Sequence, residues 1–192
     1  MTPLQDVDDG TLLQLYAAGD KEAAAALTAR LLPAVFHHAR RLLGDATEAE
    51  DVAQDAMLRL WRIAPDWEQG QAKVSTWLYQ VTANLCTDRL RKRRSVGLDE
   101  IAEPLDDTPG AEDLLQTQSR DVALRDALSQ LPDRQRQAVV LRHLDELSNP
   151  RIAEIMNITP RAVESLTARG KRALAALLFG RRAELGYDDD TE

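Results

Sequence analysis

The sequence predicts an all-α protein with two small helical domains that are joined by a flexible acidic linker, the C-terminal domain containing a helix-turn-helix. The 192 residues are 44% hydrophobic but only 4% aromatic, with Ala and Leu prominent, which favours helices. Apolar residues recur at helical spacing between residues that commonly cap helices. One acidic stretch containing Pro and Gly interrupts this pattern, and we interpret it as the linker.

The linker separates the predicted domains. It contains Pro104 and Pro109, and the stretch 95–115 has seven acids and no base. We therefore assign residues 1–94 to the first domain, 95–112 to the linker and 113–180 to the second domain. The last segment, 181–192, is an acidic tail that we expect to be disordered.

Four or five helices are expected in the first domain, from segments that span 9–18, 20–32, 33–43, 47–63 and 73–94. Asp20 is a favourable N-cap, Pro33 fits the first turn of a new helix, and Gly44 ends that helix. Thr47 and Glu50 have the spacing of a capping box, which predicts that Thr47 caps the fourth helix.

The second domain is expected to hold helices over 113–130, 132–144, 148–156 and 159–178. Ser148 and Thr159 are the predicted N-caps of the last two helices, and Asn157 suits the left-handed turn between them. The predicted inner faces of these helices carry Ile152, Ala153, Ile155, Met156, Val163, Leu166, Gly170, Leu174 and Leu177. The opposite face of the last helix presents Arg161, Glu164, Ser165, Arg169 and Arg172. Such a face can lie in a major groove, although an ordinary helical hairpin with a solvated basic face has the same pattern.

Charge is unevenly distributed along the chain. The formal net charge of −8 argues against nucleic acid as a partner. However, five of the six residues in 89–94 are basic, and 161–182 has six bases against one acid. This distribution favours a protein that touches DNA in two places and binds it weakly alone.

Two further segments carry candidate surfaces. In the helix 51–61, acids beside an exposed Leu suggest docking to a basic protein, although on physical grounds alone a plain amphipathic helix is the favoured interpretation. In 77–94, aromatic residues precede a basic helix end, a combination that can stack on unpaired bases and follow a phosphate backbone. For Trp61 and Trp77 we favour a place in the core, whereas for the crowded bases of 89–94 an anionic partner fits at least as well as a solvated helix end.

Together these segments resemble the extracytoplasmic-function sigma factors of bacterial RNA polymerase. The matching motifs are Ala18-Gly-Asp20, Ala49-Glu-Asp-Val-Ala-Gln-Asp55, Thr76-Trp-Leu78 with Asn84, Asp88 and Arg89, Leu131-Pro-Asp-Arg-Gln-Arg136, Ile152-Ala-Glu154, Ala162-Val163 and Ala168-Arg-Gly-Lys-Arg-Ala173. Each motif alone is weak evidence for this family, but their order and spacing together are specific to it. The family usually has an acid before Ile152, where this chain has Pro150 and Arg151, and Glu164 on the reading face is a second departure; both leave the promoter sequence open.

The resemblance implies a promoter-specific initiation factor and assigns roles to residues. Residues expected to bind the clamp helices of the polymerase are Asp51, Gln54, Asp55, Leu58 and Arg59. Residues expected at the minus-ten element are Trp67, Lys73, Trp77, Asn84, Asp88, Arg89, Arg91 and Lys92. Residues expected at the minus-thirty-five element are Arg161, Ala162, Ser165, Arg169, Lys171 and Arg172. The implied partners are core RNA polymerase, through its clamp helices and flap, promoter DNA and an anti-sigma factor.

Other classes of protein fit the sequence less well. A conventional helix-turn-helix regulator would leave the blocks around Asp51 and Arg89 unexplained, and a sigma-like protein that only titrates an anti-sigma factor need not keep a basic reading face. Cys86 is the only cysteine, so no internal disulfide is expected, and we expect it in the core. We expect no catalytic residues, no metal and no cofactor, since no such motif stands out. We also expect a cytoplasmic protein without membrane insertion.

Overall fold

A computed structural model describes residues 4–68, 70, 72–96 and 112–180. All regular secondary structure within these ranges is helical, which confirms the all-α fold. Residues 97–111 of the expected linker and the tail 181–192 lie outside the described residues, so their predicted flexibility and disorder stay predictions.

The N-terminal unit contains four helices, which are α1 (Asp9–Ala17), α2 (Lys21–Leu43), α3 (Ala46–Ile63) and α4 (Val74–Val96). Short 3-10 turns lie at Leu4–Asp6 and Ala64–Asp66. The C-terminal unit contains α5 (Glu112–Ser129), α6 (Asp133–Val139), a π-helical turn (Val140–Leu144), α7 (Asn149–Met156) and α8 (Pro160–Phe179). The expected helix 132–144 thus begins one residue later and ends in a π turn.

The predicted break at Pro33 is wrong, because α2 runs through it without interruption. Proline inside a helix removes one backbone hydrogen bond and costs about 3 kcal/mol. Here Pro33 and Ala29, the residue whose carbonyl loses its amide partner, are both exposed. Leu31 and Val35 on either side are buried in the core. Their packing holds the two halves of α2 in line.

The predicted cap of α3 is also wrong. Asp45, and not Thr47, is the N-cap, and its carboxylate accepts from the backbone amide of Glu48 at 2.8 Å. Gly44 ends α2 in the left-handed conformation with φ of 75°, so the chain reverses within two residues. An aspartate directly after that turn is placed to cap the next helix before Thr47 is reached.

The core of the N-terminal unit follows the predicted helical spacing. Val52, Ala53, Ala56 and Leu60 of α3 are buried, and they pack in one cluster with residues of α1, α2 and α4. Cys86 lies in the same cluster, as predicted. The packing leaves the opposite side of α3 free for contact with a partner.

The last two helices form the predicted helix-turn-helix. Asn157 turns the chain with φ of 50° and ψ of 54°, and the hydroxyl of Thr159 accepts from the amide of Ala162. Ser148 occupies the cap position of α7, but its hydroxyl makes no capping hydrogen bond. The predicted inner residues are buried or half-buried, including Val163 and Leu174.

The two units pack against each other, which the sequence did not predict. Helix α4 contacts α7, and α2 contacts both α5 and the π turn. Leu131, Val139 and Val140 join the hydrophobic cluster of the N-terminal unit, and Tyr79 of α4 packs against the cluster inside the helix-turn-helix. The described structure therefore has one continuous apolar boundary between the units.

Gly170 marks the closest approach of α8 to α6 and yields a stability prediction. An added Cβ would lie 2.6 Å from Val139 Cγ2 and 3.2 Å from the backbone oxygen of Gln135. We expect Gly170→Ala to lower the free energy of unfolding by about 1–2 kcal/mol, because the cost of overpacking exceeds the gain in helix propensity. Thermal or urea unfolding measures the effect.

Gly180→Ala is the matched control, since a Cβ there meets no atom within 4 Å. Equal stability of the two variants would show that α6 and α8 are not packed as closely as described.

Candidate nucleic-acid and protein interfaces

The five residues predicted to dock polymerase lie on one exposed face of α3, which we call the docking stripe (Asp51, Gln54, Asp55, Leu58, Arg59). Leu58 is 51% exposed, an unusual position for a large aliphatic side chain. Acidic and polar groups surround it. The stripe therefore combines one apolar contact with negative charge, as a protein-binding surface does.

Arg89 of α4 lies beside the docking stripe. Its guanidinium is 3.5 Å from a carboxylate oxygen of Asp51 and 3.5 Å from one of Asp55, and it donates to the backbone oxygen of Glu48 at 3.1 Å. Only 27% of the Arg89 side chain is exposed. Its guanidinium thus connects α3 and α4, a contact that its predicted role at DNA did not include.

A second exposed face lies along α4, which we call the α4 stripe (Trp77, Asn84, Asp88, Arg91). These residues follow helical spacing, and Lys73 and Lys92 lie exposed at its ends. Trp77 is half-buried and meets Trp67 edge to face, with ring centroids 6.2 Å apart and planes at 85°. Trp61 is also half-buried and stacks against Tyr16. The structure brings together all the predicted minus-ten residues except Arg89, which points toward α3.

The basic end of α4 is largely paired with acids of the same chain. Arg93 contacts Glu48 at 2.7 Å, and Arg94 contacts Asp133 of α6 at 2.6 Å. Arg91 pairs with Asp88 on the exposed surface. Within the described residues, Lys92 has no ion pair. Internal carboxylates thus pair with Arg91, Arg93 and Arg94, so the crowding of these bases does not by itself require an anionic partner.

The third surface is the outer side of α8, which we call the reading face (Arg161, Glu164, Ser165, Arg169, Arg172). All five residues are exposed, and Lys171 is exposed at the edge of this face. Ala162, also predicted to meet DNA, is half-buried. The Nε atoms of Arg169 and Arg172 donate to backbone oxygens one turn earlier in α8, so their guanidinium groups lie along the helix.

His143 lies close to the edge of the reading face. Partial burial lowers its pKa, and the positive charges of Lys171 and Arg142 lower it further. The imidazole is therefore held neutral near pH 7, and the positive charge around it comes from Lys171 and Arg142.

Several buried polar residues at the boundary between the units were missed from the sequence. Asp145 pairs with His38 and Arg41 of α2, and Arg136 donates to backbone oxygens of both units. Arg151 reaches hydroxyl groups near the start of α4. The partners of Asp145 and the hydroxyl partners of Arg151 lie far away in the chain, so no local pattern signals them.

Burial shifts three titrations at the same boundary. It raises the pKa of the Cys86 thiol to about 12 and that of the Tyr79 phenol, with help from Asp145, to about 12. It lowers the pKa of Arg136, an effect that Asp133 opposes. Cys86 is therefore a neutral, poorly nucleophilic thiol in this arrangement.

Within the residues that the structure describes, no three His, Cys, Asp or Glu side chains are grouped so that they could hold a metal ion. Among the described helices, none is both long and apolar enough to cross a membrane.

A helix-turn-helix unit with an exposed basic face, joined to a helical unit with an acidic docking stripe, is the arrangement of a DNA-binding transcription factor. Comparison with known proteins identifies the group. Sigma-70 region 2 matches residues 27–96, and the region 4 family matches residues 121–174.

Relatives across nearly the whole chain agree. The ECF RNA polymerase sigma factor SigW of Bacillus subtilis is 31% identical over 81% of this chain and 89% of its own. The ECF RNA polymerase sigma factor SigM of Mycobacterium tuberculosis is 33% identical over 88% of this chain and 84% of its own. The chain therefore belongs to the extracytoplasmic-function sigma factors, a family of non-enzymatic regulators of transcription.

Solved structures share the fold. The sigma factor RpoE of Bartonella quintana, in complex with the anti-sigma factor NepR, superposes with a TM-score of 0.60 at 26% identity, covering 79% of this chain and 94% of that one. CnrH, in complex with the cytosolic domain of CnrY, gives a TM-score of 0.69 at 24% identity, covering 90% of this chain and 97% of that one.

Proposed function

We propose that this protein directs core RNA polymerase in the bacterial cytoplasm to specific promoters and opens the DNA there for initiation. The observation that carries the proposal is the presence of three exposed surfaces on three different helices. The docking stripe on α3 would bind polymerase, the α4 stripe would bind the minus-ten strand, and the reading face on α8 would bind the minus-thirty-five duplex.

The docking stripe suits the clamp helices of the polymerase. Leu58 supplies apolar contact, and Asp51 and Asp55 supply charge for a basic partner. The Arg89 guanidinium lies 3.5 Å from each of these carboxylates, which limits their side-chain rotamers in the absence of the partner. We therefore assign Arg89 a positioning role at the docking stripe in addition to its predicted role at DNA.

The α4 stripe suits an unpaired DNA strand. Flipping a base from the stack costs a few kcal/mol, and stacking on aromatic side chains recovers about 1–3 kcal/mol per base. Trp67 and Trp77 form a half-buried aromatic wall near the start of α4, while Asn84 offers an amide to base edges. Arg91 and Lys92 lie further along for phosphates.

The reading face suits duplex DNA at the minus-thirty-five element. Arg161 and Ser165 lie near the N-terminus of α8, the end that contacts base edges in helix-turn-helix proteins. Further along α8 lie Arg169, Lys171 and Arg172, which would contact phosphates of the DNA backbone. Glu164 could accept from a cytosine amine, and it discourages non-specific contact with phosphate.

The overall charge favours action together with polymerase. Non-specific affinity for DNA comes from neutralised phosphates, and a protein with net charge −8 neutralises few of them alone. Polymerase would hold both basic regions over one promoter.

In vitro transcription with purified core polymerase and a library of promoter fragments tests the proposal. We expect start-site-specific transcripts with the native chain. The double variant Asp55→Lys with Arg59→Glu should lower their yield by at least about tenfold, since reversing two of the three charges of the docking stripe weakens binding by more than about 1.4 kcal/mol.

The matched control is Lys21→Glu with Glu22→Lys, an exposed acid and base reversed at the start of α2. Both double variants leave the net charge unchanged. Absence of transcripts from the native chain, together with tight binding of the protein alone to a palindromic site, would instead support a conventional regulator.

Two substitutions on α8 separate base reading from phosphate binding. We expect Arg161→Ala to weaken preference at one base pair by about 1–3 kcal/mol. Lys171→Ala should weaken binding to all promoters equally and reduce the slope of log affinity against log salt by about 0.9. Binding of the polymerase complex to promoter DNA over a range of salt concentrations measures both effects. Identical losses in the two variants, with preference unchanged, would contradict the assignment.

The proposal includes an anti-sigma partner that sequesters the free protein. The structurally similar RpoE is seen with the anti-sigma factor NepR, which supports the idea. We expect co-purification from cells of the source organism to recover one protein that competes with core polymerase for this chain. Recovery of no such partner under any growth condition would count against it.

A further inference from the structure

The second turn of α8 carries an acid on a face that otherwise presents bases and a hydroxyl group. Glu164 is exposed on the reading face, three residues after Arg161. The phosphates of DNA repel a carboxylate, so Glu164 weakens any contact of α8 that depends on charge alone. Its place on this face is favourable only if the base edges offer it a hydrogen-bond donor.

Arg161 is the neighbour of Glu164 that can act with it. Side chains three residues apart on a helix are adjacent, with Cβ atoms about 5–6 Å apart. Val163 between them packs into the core, whereas both charged side chains are exposed. Neither of the two forms an ion pair or a side-chain hydrogen bond with another residue that the structure describes. Both side chains are therefore available to contact DNA next to each other.

The other two arginines of the reading face are arranged differently. The Nε atoms of Arg169 and Arg172 donate to backbone oxygens of α8 at 3.3 Å and 3.4 Å, so part of each guanidinium is already used. Arg161 makes no such bond within the described residues and keeps its full set of donors. A guanidinium in that state can make the two parallel hydrogen bonds to O6 and N7 by which arginine selects guanine. Arg161 is therefore the arginine of this face that is best suited to read a guanine.

Within α8, Arg161 is the one cation less than a turn away from Glu164. The residue one turn later is Ala168, which is exposed and has no polar side-chain group, and Lys171 lies about 10 Å further along the helix. When Arg161 binds guanine, the Glu164 carboxylate needs another donor. The cytosine of the same base pair supplies one, because its N4 amine pairs with guanine O6 and lies beside it in the major groove.

We infer that Arg161 and Glu164 together read one guanine–cytosine pair of the minus-thirty-five element, with Arg161 on the guanine and Glu164 on the cytosine. The inference rests on the proposed function, since it concerns the duplex that α8 would bind. An adenine–thymine pair offers Arg161 an amine in place of O6, and it offers Glu164 the acceptor O4 of thymine. Both contacts then become unfavourable, so the two side chains reject the wrong pair as well as bind the right one.

Charge repulsion without a base contact is the alternative that the experiment has to separate. Glu164 would then lower binding to every promoter, and its removal would raise binding to all of them equally. A contact to cytosine makes the effect of removal specific to sequence. The preference at one base pair falls, while binding to promoters with another pair at that position is unchanged or rises.

The experiment measures in vitro transcription by core polymerase with the full chain, from promoters in which each base pair of the minus-thirty-five element is varied in turn. We expect the native chain to prefer guanine–cytosine over adenine–thymine at one position by at least about fivefold, equivalent to about 1 kcal/mol. Glu164→Ala and Arg161→Ala should each lower the preference at that same position by at least about threefold. Their preferences at the other positions should remain those of the native chain.

Two further variants serve as comparisons. Glu164→Gln removes the charge but keeps the size and one acceptor oxygen, so we expect it to retain more of the preference than Glu164→Ala does. Asp121→Asn is the matched control, because it removes one negative charge from an exposed position of α5. Its transcripts should equal those of the native chain in yield and in preference. Unchanged helical circular dichroism of each variant excludes a folding defect.

The outcomes separate the inference from the proposed function. A native preference that Glu164→Ala leaves intact, with or without an equal rise at all promoters, would overturn the inference and leave the proposed function in place. Loss of preference at two different positions in Arg161→Ala and Glu164→Ala would also overturn it, because the side chains would then read different base pairs. A native chain that directs no start-site-specific transcripts would contradict the proposed function, and the inference with it.

Discussion

Asp145 is a carboxylate almost entirely removed from water, and both of its side-chain partners belong to the other unit of the chain. Burying a charge is unfavourable unless it is paired, and removing one partner of a buried pair costs about 3–5 kcal/mol. The two units could slide past each other at a boundary made only of Leu and Val. Because Asp145 must contact both His38 and Arg41, the units have one relative position. The relative position of the α4 stripe and the reading face therefore depends on this carboxylate.

The docking stripe, the α4 stripe and the reading face each lie on a side of their helix that does not pack into the core. The core takes one side of α3, so the acids and Leu58 emerge on the other. Helix α4 has three distinct sides, since one side enters the core, one faces α7 and one carries the α4 stripe. Arg89 connects α4 to the docking stripe, because its guanidinium lies 3.5 Å from a carboxylate oxygen of Asp51 and 3.5 Å from one of Asp55.

Local features of the fold could be predicted, because helical spacing and caps are local. The buried sides of α3 and α8, the turn at Asn157 and the cap at Thr159 all follow from residues a few positions apart. The errors at Pro33 and Thr47 have the same origin, since local preference was outweighed by packing in the first case and by an earlier aspartate in the second.

The boundary between the units could not be predicted from one sequence. The partners of Arg151 lie 75 and 76 positions away, and those of Asp145 more than 100 positions away. No periodicity connects such residues. The sequence marked Arg151 only as a departure from the family, and Asp145 not at all. The site residues were predicted as separate surfaces, and their common arrangement required the structure.

The π turn at Val140–Leu144 explains how Asp145 reaches its place. The amide of Asp145 bonds to the oxygen of Val140, five residues back, where an α-helix would use four. One additional residue per turn rotates all that follows by about 100° relative to a regular helix. The direction of the Asp145 carboxylate therefore depends on the number of residues in the π turn as well as on the chemistry of its side chains. Related chains could gain or lose the contact through a single insertion or deletion, with every interacting side chain retained.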